Sequence, residues 1–63
     1  MFNLFKKRIK RIGVVYVGQD FRDWDLMNTK FINCTFYMCK NLEIRGKNII
    51  DCSMVDTDIT MRF

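Results

Sequence analysis

Phe31–Cys39, FINCTFYMC, decides how the chain is read: it is too polar for a strand buried on both faces and too regular for a loop. An asparagine, a threonine and two cysteines stand among three aromatic residues. Neither the 3.6-residue period of a helix nor the period of two of a half-buried strand fits the surrounding sequence best. Working outward, apolar residues recur five apart at Phe21, Leu26, Phe31 and Phe36, and again at Ile44, Ile49, Met54 and Ile59, after one interval of eight. Most residues just before these centres are short or polar: Asp20, Asp25, Lys30 and Thr35, then Glu43, Asn48, Ser53 and Asp58. Two residues before the centres stand small side chains in the clearer cases, Thr29, Cys34, Cys52 and Thr57, with Cys39 continuing the first series.

The units TKFIN, CTFYM, CSMVD and TDITM, with partial matches in DFRDW and DLMNT, resemble the pentapeptide-repeat proteins over about residues 20–61. The resemblance implies a mainly β fold: a short right-handed quadrilateral β-helix of about two coils, with central and small residues turned inward. Gln19, Trp24, Leu42 and Lys47 depart from the pattern, because the family places a small inward side chain there. Trp24 is expected to point away from the coil interior. The longer interval between Phe36 and Ile44 is expected to be a bulge through Cys39, Lys40 and Asn41, which lengthens the coil. The lengthened coil sets Phe31 over Met54, Phe36 over Ile59, Thr29 over Cys52 and Cys34 over Thr57. The alternative architecture is a small antiparallel β-sheet packed on the N-terminal helix, with strands near 13–17, 30–38, 41–45, 48–55 and 57–62.

Residues 2–12, FNLFKKRIKRI, place Phe2, Phe5, Ile9 and Ile12 on one helical stripe, predicting an amphipathic helix. Gly13 ends it, and Val14 to Val17 read as a short strand closed by Gly18. The chain therefore divides into a basic amphipathic arm with a short strand, residues 1–19, and a pentapeptide-like body, residues 20–63, together forming a single domain. With 63 residues, one core is close to the lower size limit for a self-sufficient fold, so association is an expected source of added stability.

The formal charge of +4 is unevenly placed along the chain: residues 1–19 carry five cations and no acid, whereas residues 20–63 carry six cations and seven acids. Lys6, Lys7, Arg8, Lys10 and Arg11 are accordingly the candidates for contact with nucleic acid or an anionic membrane. A body of net charge −1 is a poor imitation of duplex DNA, a role some pentapeptide-repeat proteins play. Asp20, Asp23 and Asp25, like Asp51, Asp56 and Asp58, are grouped without the ligand spacing of a known metal loop. The three cysteines lack a fourth ligand and the chain has no histidine, so no metal, cofactor or catalytic residue is assigned. Cysteine usage points to a reducing, cytoplasmic setting. IGVVYVG is too short to cross a membrane, which takes about 20 apolar residues. The function expected is a non-catalytic interaction module that binds itself or a larger protein. Phe21, Arg22, Trp24, Tyr37, Met61 and Phe63 are the candidate contacts, with Trp24 as anchor.

Overall fold

The computed structural model describes Arg8 to Arg62, and the protein is mainly β. Its strands are β1 (Ile9–Ile12), β2 (Val15–Val17), β3 (Thr29–Ile32), β4 (Thr35–Tyr37), β5 (Leu42–Arg45), β6 (Ile49–Ile50), β7 (Ser53–Val55) and β8 (Ile59–Arg62). Two single 3-10 turns, Leu26–Asn28 and Gly46–Asn48, lead into β3 and β6.

Every paired strand is parallel to its neighbour, in sheets ordered β1-β3-β6, β2-β4-β7 and β5-β8. Hairpins cannot join parallel neighbours, so each pair is closed by a whole pass of chain. The register measures that pass. Ile9 lies opposite Thr29, Val15 opposite Thr35 and Asp20 opposite Lys40, a constant interval around the first pass. Phe31 then lies opposite Ile49 and Thr35 opposite Ser53, a shorter interval, and Leu42 opposite Ile59, shorter again.

Several expectations are corrected by this register. The antiparallel alternative fails because the strands run the same way. The lengthened pass fails as well: Phe31 meets Ile49 rather than Met54, and Phe36 meets Met54 rather than Ile59. Nor do Thr29 and Cys34 fall over Cys52 and Thr57, since β3 and β4 pair with nearer stretches of chain. No bulge through Cys39, Lys40 and Asn41 lengthens the second pass. Cys39 is buried, Asn41 turns the backbone at φ 58°, and Leu42 is already inward. The corner therefore consumes fewer residues than the first pass uses there, and the pass shortens.

The predicted amphipathic helix is replaced where the structure describes it. Ile9–Ile12 is a strand because its backbone finds partners on β3, which an isolated short helix could not match in stability. Residues 1–7 of that expectation lie outside the described residues. The strand expected near 13–17 is present as β2, but it does more than precede the body. It pairs in register with β4, so residues 9–17 belong to the same stack.

FINCTFYMC now has a physical explanation. Phe31 and Phe36 point inward and are fully buried, while Ile32, Thr35 and Tyr37 face outward. Asn33 and Met38 take positive φ at the corners, 55° and 51°. They continue columns in which Gly13 and Asp51, and Gly18 and Asp56, do the same. That conformation aims the corner N–H along the stack: Asn33 donates to the Ile50 carbonyl at 2.8 Å and Met38 to that of Val55 at 2.9 Å. Immediately after each corner a small side chain turns inward and ties the passes together. The Cys34 thiol donates to the Arg11 carbonyl at 3.2 Å and that of Cys39 to the Tyr16 carbonyl at 3.5 Å. One pass later Cys52 donates to Phe31 at 3.4 Å and the Thr57 hydroxyl to Phe36 at 3.1 Å. A larger residue would fill the space through which these donors reach the neighbouring backbone.

Met38 is the costly member of its column, since an ordinary L-residue at this φ loses about 1–2 kcal/mol. Its side chain is mostly exposed and contributes little packing in return. Met38→Asn is therefore expected to stabilise the protein by about 1 kcal/mol, measured as a higher urea midpoint at unchanged slope. A lower midpoint would show that the corner carries no such strain.

The core sits mainly in the middle pass, which has neighbours on both sides. Phe31, Phe36, Cys34, Cys39, Leu42 and Ile44 are buried there, with Phe21 and Leu26 from the first pass. Val14, Tyr16 and Trp24 at one end, and Ile49, Cys52, Met54 and Ile59 at the other, are only partly covered. Thr29 is the buried polar residue, and its hydroxyl donates to the Asp25 carbonyl at 2.8 Å.

Candidate functional site

Strand alternation turns one set of side chains into the core and presents the other to solvent. Stacking in register converts the outward set into columns. Ile12, Ile32 and Ile50 lie opposite one another on β1-β3-β6. Val17, Tyr37 and Val55 form a second column on β2-β4-β7, with Val15, Thr35 and Ser53 beside it. These are large apolar side chains in water: Ile12 is 63% exposed, Val17 65% and Tyr37 44%, with Ile50 and Val55 each at 40%. Neighbouring strands are about 4.8 Å apart, so each column is a nearly continuous apolar ridge rather than a scatter of single residues.

The residues expected to form the interface are dispersed. Tyr37 belongs to the second column. Met61 is exposed on β8, opposite Ile44. Arg22 is exposed and lies 3.7 Å from the Asp20 carboxylate. Phe21 is only 1% exposed and thus has no side-chain surface to offer a partner: it is a core residue because it continues the inward series back from Leu26. Trp24, expected to point away from the interior, instead packs on the core. Its ring lies 4.8 Å from Phe21 and 5.8 Å from Tyr16, both edge-on, and stacks 6.3 Å from Phe31. Among the described residues no pass stacks beyond the first, which leaves room there for a large ring. Phe63 lies outside the described residues.

Of the basic candidates, Lys6 and Lys7 also lie outside the described residues. Arg8 is exposed, and Lys10 stands opposite Lys30 on the adjoining strand. Arg11 occupies the register position above Phe31, and its guanidinium lies 5.5 Å over the Trp24 ring, a cation–π contact at the end of the stack.

Asp20, Asp25, Asp51 and Asp56 have structural roles. Asp20 accepts from the Asn41 Nδ2 at 2.9 Å and from the Arg22 backbone N–H at 3.0 Å. The Asn41 bond, followed by the Arg22 backbone N–H, holds its carboxyl below the usual carboxylate range. Asp25 accepts from Asn28 Nδ2 at 2.7 Å, and Asp51 and Asp56 occupy positive-φ corners. Among the described residues no three His, Cys, Asp or Glu side chains converge as a metal site would require. Burial is the main cause pushing the Tyr16 phenol above its ordinary value.

Sequence reasoning missed Ile12, Val15, Val17, Ile32, Ile50 and Val55 as surface residues. A signal was present: the five-residue series extends back from Phe21 to Tyr16 and Arg11, which would have placed these residues one step from an inward centre. Comparison with protein-family models, curated proteins and solved structures finds no match.

Proposed function

We propose that this chain is a non-catalytic interaction module, a short right-handed quadrilateral β-helix of the pentapeptide-repeat kind, whose outward apolar columns bind a second copy of itself. The observation that carries this reading is the pair of ridges Ile12-Ile32-Ile50 and Val17-Tyr37-Val55, in which every member but the half-buried Ile32 is exposed. Parallel strands closed by whole passes of chain, with small inward donors after each corner, support the β-helix. A regular ridge is self-complementary under a two-fold axis, because residues at equal height meet their equivalents. Covering it would also relieve the thin core of so short a chain. The alternative protein occupant is a larger partner with a matching apolar groove. Free thiols at Cys34, Cys39 and Cys52, engaged with backbone carbonyls, fit a reducing cytoplasm.

Sedimentation equilibrium tests the proposal. The full chain is expected to form a dimer, and the double variant Val17→Asp with Val55→Asp to weaken it at least about 100-fold, since each buried valine is worth roughly 1.5–3 kcal/mol before the cost of a buried charge. A dimer indifferent to both changes would place the interface elsewhere, and a monomer throughout would end the self-association reading.

A further inference from the structure

The body is close to neutral in sum but not in layout. Two shallow grooves of about 610 and 750 Å³ lie beside the 3-10 turns and share Met27, Arg45 and Lys47, which makes them one continuous track. Each pass contributes cations to its walls. Arg8 and Lys10 come from the first, Lys30, Arg45 and Lys47 from the next, and Arg62 from the last. Register enforces the alignment, with Lys10 opposite Lys30 and Arg45 opposite Arg62. The acid lining the track, Asp25, is already bonded to Asn28 at 2.7 Å. Glu43 approaches Arg62 at 3.8 Å, with both side chains about two-thirds exposed, so water screens the pair. Like charges held at strand spacing repel one another, and a bound polyanion would remove that repulsion.

We propose that this track binds the phosphodiester backbone of a nucleic-acid strand, without reading its bases. Cations drawn from successive passes form an extended line, which matches a linear polyanion better than a single compact anion. The concave walls suit a strand better than a flat bilayer. Met27 is the exposed apolar side chain lining both grooves, and no aromatic ring lines either among the described residues, so base stacking has no platform there. The site takes in Arg8 and Lys10 of the basic N-terminal run but extends beyond it, because Lys30, Arg45, Lys47 and Arg62 all belong to the body. It is also independent of the apolar columns.

Fluorescence anisotropy of the full chain with labelled oligonucleotides of roughly 12 nucleotides tests this. Oligo-dT and oligo-dA are expected to bind within about threefold of each other, with log affinity falling against log salt at a slope between about −2 and −4. The double variant Arg45→Gln with Lys47→Gln is expected to weaken binding at least about tenfold near 50 mM salt and to make the slope shallower by about 1.4, two phosphate contacts at about 0.7 each. Arg22→Gln with Lys40→Gln removes equal charge away from the track and is expected to stay within about twofold. Circular dichroism checks that both variants keep the fold. Unchanged binding in the Arg45/Lys47 variant would assign the affinity to the N-terminal run and overturn the proposal. It would also be overturned if inorganic tripolyphosphate competed as well as the oligonucleotide per phosphate, or if anionic vesicles bound and oligonucleotides did not.

Discussion

Replacing Phe36 with alanine is expected to cost about 3–5 kcal/mol, read from urea unfolding of the purified chain. Phe36 is fully buried, stacks 5.4 Å from Tyr16 with nearly parallel rings, and meets Phe21 and Phe31 edge-on at 5.7 and 5.1 Å. Met54 covers it from the following pass. Truncation would therefore remove contacts on several sides at once. The cavity cannot collapse easily, because the surrounding backbone is pinned by ladders that run through all three passes. A domain of this length has about 3–9 kcal/mol of total stability, so most of the variant would be unfolded or close to it at ordinary temperature. Thr35→Ala, the outward neighbour on the same strand, is expected to change stability by no more than about 0.5 kcal/mol. A cost below about 1 kcal/mol for Phe36→Ala would mean that the aromatic cluster is not the core.

The second large effect is expected at Leu42. Leu42→Ala should destabilise by about 2–5 kcal/mol, whereas Lys47→Ala should stay within about 0.5 kcal/mol. A strict five-residue frame puts these two positions in the same class, as inward sites meant for small side chains. The structure separates them. Leu42 is fully buried and lies opposite Ile59, while Lys47 is exposed within the Gly46–Asn48 turn and lines the basic track. Equal costs at both sites would restore the strict frame and count against the shortened pass. Comparing the two unfolding midpoints makes that distinction with a single measurement on each variant.

Leu42 also shows where a sequence stops being readable. The chain spacing reveals that side chains turn inward every five residues from Phe21 to Phe36 and from Ile44 to Ile59. It does not reveal how much chain a corner consumes. Counting the interval from Phe36 to Ile44 as an insertion put Met54 over Phe31, whereas the corner at Asn41 tightens the pass until Ile49 takes that place. The helical stripe misled for a related reason at Ile9 and Ile12, the two of its members that the structure describes. Ile9 and Ile12 would share a face of a helix but lie on opposite faces of β1, and pairing with Thr29–Ile32 decided in favour of a strand. Trp24 was judged too large for the interior, yet at the first layer it packs, partly buried, against Tyr16, Phe21 and Phe31.

The sequence by itself determined the repeating local step: an inward centre every five residues and, in the clearer cases, a small side chain two residues before it. These follow from side-chain size, which each residue carries wherever it sits. Only the tertiary structure decided which steps lie over one another, and with that the apolar ridges and the basic track. Ile12, Ile32 and Ile50, or Lys10 and Lys30, are distant along the chain and become neighbours through parallel register. Register is set by the residues spent at corners and by the hydrogen bonds those corners direct to the next pass, both properties of the stacked whole.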